Sequence, residues 1–260
     1  MSKGFADDIR QVGVVTKYEL FKHLRSKRMY IFILLAALMI VLIRVLLHYV
    51  GDLGPPLDAM PDLAWYVTSV DMLVVIGVAL FCAPAIASEF EERTALLIFP
   101  RPMRKTSFFL GKAAACYLVC GAVIILYYMM AVVMSLINGD SVILSDLFTS
   151  LGLALLFMLG TGGFALLMSS ILKKGSTAVI VTIAVLFMVF NIVDMMYNTF
   201  IGEPLFSITY AAGNISAVIY DGFSIFGAIH PTVFISVCIM TAWTVVTTTI
   251  SAVLFGRREF

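Results

Sequence analysis

Charged residues are scarce in this sequence. Asp, Glu, Lys and Arg make up 13% of the 260 residues, whereas apolar residues make up 62%. Soluble domains have about 25% charged residues, so this composition excludes a soluble enzyme and leaves no room for a separate soluble catalytic domain. Six stretches lack charge, and each has, or nearly has, the roughly 20 apolar residues that cross a bilayer core. They are Met29–Ile43, Met72–Ser88, Ala113–Gly139, Leu147–Leu172, Gly175–Val193 and Gly222–Gly256.

Residues that bind metals are also few. The three histidines are His23, His48 and His230, which lie too far apart for a His-Glu-x-x-His zinc motif. All four cysteines fall in the apolar stretches, which argues against a disulfide framework. Cys116 and Cys120 lie one helical turn apart, and we interpret them as packing residues because no further ligand is near them in the sequence. We therefore predict no metal site.

The Lys and Arg residues are distributed unevenly. All 17 except Arg44 fall in four segments that alternate with segments lacking basic residues. Because positive charge stays on the cytoplasmic side of a membrane, this alternation predicts six crossings and cytoplasmic termini. The basic side also favours contact with anionic lipids, and nothing indicates a nucleic-acid partner. The four basic segments are Met1–Arg28, Glu89–Lys112, Lys173–Lys174 and Arg257–Arg258.

The predicted fold is an all-α integral membrane protein. Residues 1–28 form a cytoplasmic region with a basic amphipathic helix that lies in the membrane interface. Residues 29–260 form a single six-helix transmembrane domain, in which Pro84 kinks or ends the second helix. The apolar but Gly- and Pro-interrupted segment Phe200–Thr232 predicts short broken helices in the last outer loop. The predicted spans are 29–50, 66–88, 109–137, 148–172, 176–197 and 233–255.

Three charged residues fall inside the predicted spans. Counted at 1.5 Å per residue, Arg44, Asp71 and Asp194 all lie in the outer half of the membrane. Ionisable groups in a bilayer are costly and are usually paired or face water, so we predict that Arg44 pairs with Asp71 or Asp194. A structural salt bridge, an Arg44 side chain that reaches outward to the surface, and a substrate site remain alternatives.

The longest inner loop carries the most distinctive pattern. Glu89–Phe99 has an acidic first turn, as a helix N-terminus favours, and Pro100 ends the helix. A Glu-rich turn is followed by Thr94 and apolar residues, then by a Pro-Arg step, and then by Gly111-Lys112 at the next span. This order resembles the permease subunits of type-2 ATP-binding-cassette (ABC) transporters. The six spans, the N-terminal helix and the broken outer segment resemble that family as well.

The resemblance implies a function and partners. In that family the loop after the second span contacts a separate ATPase, and the working unit contains two permeases and two ATPases. The resemblance therefore implies a dimeric exporter in the plasma membrane, with a second permease that is identical or related to this one. It also implies a motor in trans that binds ATP and Mg, and no cofactor in this chain. The chain itself has no Gly-x-x-x-x-Gly-Lys-Ser/Thr phosphate-binding loop. By resemblance, the residues that couple to the ATPase are Glu89, Glu91, Glu92, Arg93, Thr94 and Arg101.

Two other classes stay open at this point. An ion-coupled carrier or a channel needs polar residues along a path through the membrane, and the inner halves of the spans are almost purely apolar. An intramembrane enzyme needs a nucleophile or a metal motif, and no Gly-x-Ser-x-Gly sequence accompanies His230. For a transporter, the charges in the outer half of the membrane favour an amphipathic or lipid-like substrate.

Overall fold

The computed structural model describes residues 5–50, 61–91, 105–139, 142–220 and 231–257. Within these ranges the chain forms α-helices, one π-helical turn and no strand. The helices are α1 (Phe5–Leu24), α2 (Lys27–Val50), α3 (Asp62–Thr68), α4 (Val70–Phe81), α5 (Pro84–Glu91), α6 (Lys105–Ile137), α7 (Leu144–Ile171), α8 (Gly175–Ala184), α9 (Phe190–Phe200), α10 (Ile208–Ala212), α11 (Asn214–Ala217) and α12 (Val233–Arg257).

Among the described residues, six helical segments are long and apolar enough to cross a membrane, which confirms the predicted fold class. The second and fourth spans form the centre of the bundle, since 72% and 61% of their most apolar windows are buried. The first, fifth and sixth spans are only 22%, 17% and 22% buried and so present most of their apolar surface outward. The spans are Lys27–Tyr49, Asp62–Glu89, Lys105–Ile137, Leu144–Ile171, Gly175–Phe200 and Val233–Arg257.

The two ends of the bundle differ in charge. We call the end that holds Lys22, Lys105, Lys112 and Lys174 the basic end, and the end that holds Asp62 and Asp146 the opposite end. Positive charge favours the cytoplasmic side, so the basic end is the predicted cytoplasmic side.

The second span is broken twice. It contains α3, α4 and α5, and Pro84 begins α5, where its missing N–H costs no helical hydrogen bond. The predicted interruption at Pro84 is therefore confirmed. At the other break, the hydroxyl of Ser69 donates to the Tyr66 carbonyl at 2.7 Å, and the Tyr127 hydroxyl lies 2.6 Å from the same Ser69 oxygen. These bonds satisfy polar groups that a broken helix would leave exposed to lipid.

Glycines bring the fourth span close to its neighbours. A Cβ atom added at Gly160 would lie 2.5 Å from the Ile208 side chain and 3.4 Å from the Met240 carbonyl oxygen of the sixth span. An added Cβ at Gly163 would collide with Thr247 of the sixth span, and one at Gly162 would collide with Tyr117 of the third. Small residues allow this close approach in membrane proteins.

The N-terminal helix has two different apolar faces. On one, Val15 is buried against Gly111 of α6, and the Thr16 hydroxyl donates to the Gly111 carbonyl at 3.2 Å. On the other, Val14, Tyr18 and Phe21 are exposed. A helix held on a span by one face, with apolar side chains on another, is suited to lie along the membrane surface. The predicted interfacial helix is therefore also packed firmly against the third span.

Short helices follow the fifth span, as predicted. α10 and α11 have five and four residues, and the Ser207 hydroxyl caps the N-terminus of α10. The buried Asn214 side chain donates to the Ser236 hydroxyl at 2.7 Å, which ties α11 to the sixth span. The fifth span itself contains a π-helical turn, Val185–Val189, between α8 and α9.

Candidate functional site

A buried lysine organises the basic end of the bundle. Lys112 lies two turns into α6, and its side chain is 3% exposed. Its Nζ lies 2.8 Å from Glu19 Oε1 of α1 and 2.8 Å from Glu89 Oε1 of α5. Both distances are those of charge-assisted hydrogen bonds. One ammonium group therefore joins the N-terminal helix, the end of the second span and the start of the third.

A second lysine completes the network. Lys22 Nζ lies 3.4 Å from Glu89 Oε1 and 3.9 Å from Glu19 Oε2, at the more exposed edge. The two ammonium groups balance the two carboxylates, as buried charges require. We call Glu19, Lys22, Glu89 and Lys112 the clamp. It lies where the chain leaves the second span for the inner loop, so it fixes the base of that loop.

Glu91 connects the same loop to the fifth span. Its Oε2 accepts a hydrogen bond from the backbone N–H of Gly175 at 3.0 Å, at the first residue of α8. The first N–H groups of a helix lack partners within the helix and attract negative charge. Glu91 is exposed. The structure therefore places the start of the inner loop against both the third and the fifth spans.

The residues predicted to couple to an ATPase fall into two groups. Glu89 is buried within the clamp, so its carboxylate does not face outward; Glu91 is exposed but bound to Gly175. Glu92, Arg93, Thr94 and Arg101 lie outside the described residues, as does most of the predicted helix Glu89–Phe99. A role for Glu89 in coupling stays a prediction, and its geometry favours one exerted through the clamp.

The predicted partner of Arg44 is wrong. Arg44 Nη1 lies 3.5 Å from Asp62 Oδ2, rather than beside Asp71 or Asp194. The reason is that the second span begins at Asp62, a full turn before the predicted start at residue 66. This brings a carboxylate to the depth of Arg44, and the Asn138 side chain also donates to Asp62.

The two predicted carboxylates inside the spans are separated. Asp71 Oδ1 accepts no hydrogen bond from a described residue. Asp194 Oδ2 accepts hydrogen bonds from the Ser207 hydroxyl at 2.8 Å and the Thr209 hydroxyl at 2.5 Å. Arg44, Asp71 and Asp194 therefore do not form the single cluster that the sequence predicted.

The clamp and the contacts of the cysteines were not predicted from the sequence. The sequence suggested that Lys112 begins the third span, but the helix begins at Lys105. Lys112 therefore lies two helical turns inside the helix, and this distance from Lys105 was the signal in the sequence that could have revealed a buried lysine. His23 lies near Cys116, with Nε2 3.7 Å from Sγ, and Cys82 adjoins Cys116 and Cys120. Even so, the described residues contain no group of three His, Cys, Asp or Glu placed to hold a metal ion. Packing thus remains our interpretation of these cysteines.

The chain matches a known protein family over most of its helical bundle. The family described as ABC-2 family transporter protein matches residues 15–177, more than half of the chain. The matched region contains the second half of α1, the first four spans, all four residues of the clamp and Gly175. No curated protein matched the sequence.

Proposed function

Given that the chain belongs to the ABC-2 family of transporter proteins, we propose that it is the permease subunit of an ABC exporter in the plasma membrane. The family and the six apolar helices identify a multi-pass membrane protein of the ABC transporter permease type. The proposal adds the direction of transport, a separate ATPase and a second permease. It draws these from the resemblance of the inner loop and of the order of helices to type-2 permeases.

The clamp is the observation that carries this proposal. A membrane subunit driven from outside must receive motion at one place and pass it to several spans. Lys112 holds α1 and α5 on the third span, and Glu91 holds the same segment on the fifth. A displacement of the inner loop would therefore act on the N-terminal helix, the third span and the fifth span together. Packed elements with two discrete arrangements transmit such motion.

The energy source acts in trans. Two copies of a separate ATPase bind ATP and Mg on the cytoplasmic side and contact the loop from Glu89 to Arg101. Nucleotide binding closes the two ATPases and displaces the loops of the two permeases. The bundle then shifts between inward-facing and outward-facing populations. This chain contributes the path and the coupling contacts, and it carries out no chemical step.

Purification with bound partners tests the proposal. The tagged chain is extracted from its native membrane in a mild detergent, and the retained proteins are identified and assayed for ATP hydrolysis. We expect a stoichiometric ATPase that Glu92→Lys releases, because residue 92 follows the loop segment that the clamp holds. Glu203→Lys, an exposed acidic position at the opposite end, is the control.

Two results would contradict the proposal. A chain that purifies alone, with no ATP-dependent activity in native membranes, would favour an ion-coupled carrier, a channel or an intramembrane enzyme. A partner that Glu92→Lys and Glu203→Lys retain equally would place the contact elsewhere.

A further inference from the structure

Amide side chains are confined to one of the six spans. Within the ranges of these spans there is no glutamine, and asparagine occurs only at residues 191 and 198 of the fifth. Counted at 1.5 Å per residue, Asn191 lies roughly 5 Å from the midpoint of Gly175–Phe200, and Asn198 lies near its opposite end. A polar side chain this deep in a bilayer is costly and usually bonds to another helix or faces a polar cavity.

Neither asparagine has a described donor for its side-chain oxygen. The Asn191 side-chain nitrogen donates to the Phe187 carbonyl at 2.9 Å and to the Leu186 carbonyl at 3.3 Å, both in the π-helical turn. Its oxygen accepts no hydrogen bond from a described residue, although Asn191 is exposed. The half-buried Asn198 side chain forms no hydrogen bond with a described residue. An open acceptor in the apolar part of a membrane needs a donor that lipid tails do not supply.

The two asparagines lie on one stripe of the fifth span. They are seven residues apart, which is two turns of a helix, and a methionine precedes each of them by three residues. The four positions follow the alternating spacing of three and four residues by which one helix packs lengthwise against another. Met188 and Met195 are 62% and 75% exposed. We call Met188, Asn191, Met195 and Asn198 the asparagine stripe.

A different side of the same helix faces the bundle. The Phe190 ring lies 5.4 Å from the Trp243 ring of the sixth span. The Tyr197 ring, seven residues further on, lies 5.2 Å from the Phe206 ring of the outer segment. None of the eleven residues of α9 is buried, and the fifth span as a whole is the least buried of the six. The asparagine stripe therefore lies on a side that the described bundle leaves uncovered.

A second copy of the chain supplies what the stripe needs. An amide is complementary to itself, because it has both a donor and an acceptor. Around a two-fold axis along the membrane normal, a residue near the axis meets the same residue of the other copy. The open oxygen of each Asn191 then accepts from the amide of the other. The amide hydrogen in the longer, 3.3 Å bond to Leu186 is the available donor.

We propose that the asparagine stripe is the surface by which two copies of this chain pack together in the membrane, with their Asn191 side chains hydrogen-bonded across the two-fold axis. The proposal rests on the proposed function in that the second copy is the second permease, but contact between copies requires no ATPase. The flexible methionines fill the irregular space between the two helices. The amides determine which faces meet, since any other face leaves them unpaired.

Disulfide crosslinking in native membranes tests which residues meet. Cys238→Ser removes the exposed cysteine, leaves three buried ones and serves as the blank, and Met195→Cys is added to it. Two versions with different tags are coexpressed, and the membranes are oxidised with copper phenanthroline. We expect a covalent species of twice the chain's mass that contains both tags. Met196→Cys is the matched control, because this exposed neighbour points about 100° away, and it should crosslink at least about fivefold less.

Two further controls lie on the other outward-facing spans. Leu42→Cys on the first span and Val245→Cys on the sixth replace residues that are also exposed. In the same Cys238→Ser background, each should crosslink at least about fivefold less than Met195→Cys, since an outward position away from the two-fold axis does not meet its equivalent.

Subunit counting tests the amide itself. Fluorescently labelled chains are diluted in liposomes, and photobleaching steps give the fraction of dimers. We expect Asn191→Leu to raise the dissociation constant at least about fivefold, whereas Asn191→Gln keeps an amide and stays within about twofold of wild type. Met196→Leu, off the stripe, should leave it unchanged. The crosslinking measurement retains both asparagines, so it does not depend on the Asn191 variants folding.

Three results would overturn the proposal. They are equal crosslinking of Met195→Cys and Met196→Cys, an adduct of Met195→Cys that joins the chain to a different protein, and an Asn191→Leu variant that dimerises as tightly as wild type. None of them would alter association with an ATPase, which Glu92→Lys tests separately. A chain that crosslinks through the stripe but retains no ATPase would support this contact and contradict the proposed function.

Discussion

Lys112 and Glu89 form a buried ion pair, with Nζ 2.8 Å from Oε1, at the point where the second span ends. Glu19 supplies a second carboxylate to the same ammonium at 2.8 Å. Because Lys112 is 3% exposed, water does not screen these contacts. The pair makes the base of the inner loop part of the helical bundle, which is the arrangement that a loop transmitting force requires.

Replacing Lys112 should destabilise the protein strongly. Lys112→Met removes the cation and leaves two carboxylates without it in a buried site, for which we expect a loss of roughly 3–5 kcal/mol. The free energy of unfolding in a dodecyl sulfate titration measures this. Lys173→Met, at an exposed lysine of the same end, should change it by less than about 0.5 kcal/mol. Equal effects of the two changes would show that the clamp does not stabilise the fold.

A methyl group at Gly111 should loosen the N-terminal helix. A Cβ there would lie 2.7 Å from the Val15 Cβ and 3.1 Å from the Val12 carbonyl oxygen, so Gly111→Ala pushes α1 away. We expect faster trypsin cleavage after Lys17. Gly13→Ala on α1 meets nothing within 4 Å and should leave cleavage unchanged or slow it. If Gly111→Ala is cleaved no faster than wild type, the close packing of α1 on α6 is not maintained in the membrane.

Removing the Glu91 side chain should weaken the start of the fifth span. Glu91→Ala leaves the Gly175 N–H without its acceptor, and loss of a helix cap costs about 1 kcal/mol. Amide hydrogen exchange over residues 175–178 should then be roughly fivefold faster, which is the same free energy expressed as a rate ratio. Glu203→Ala, exposed at the opposite end, should not alter it. Unchanged exchange in Glu91→Ala would mean that the cap is not formed.

Contact between the fourth and sixth spans can be tested at two glycines of one helix. At Gly163 a Cβ collides with Thr247, so Gly163→Ala should cost about 1–3 kcal/mol. At Gly152 a Cβ meets nothing within 4 Å, so Gly152→Ala should stabilise the helix by about 0.5–1 kcal/mol. Thermal unfolding in detergent measures both. A Gly163→Ala variant as stable as Gly152→Ala would contradict this packing.

The helical architecture could be predicted from composition and charge alone. Long uncharged stretches define the spans because backbone groups in lipid must bond within their own helix. The break at Pro84 and the close approach at Gly160 and Gly163 follow from the steric properties of those residues. The short helices after the fifth span follow from Gly and Pro within an apolar segment.

The ion pairs could not be predicted in the same way. Arg44 was assigned to the wrong partner because depth was counted from an estimated start of the second span, and Asp62 entered the helix instead. The pairing of Lys112 with Glu19 depends on which face of α1 packs against the bundle. Because α1 has two apolar faces, its sequence does not determine which of them packs there. Contacts between distant segments require the packing angles of whole helices.

The most direct measurement is a site-specific crosslink from the inner loop. A photoreactive benzoylphenylalanine replaces Thr94, and native membranes are irradiated with and without ATP. The account predicts a covalent adduct with a separate ATPase subunit at Thr94, and none when Ser145, exposed at the opposite end, carries the same group. The absence of an ATPase adduct at Thr94, or equal adducts at Thr94 and Ser145, would contradict the claim that this loop couples the permease to its motor.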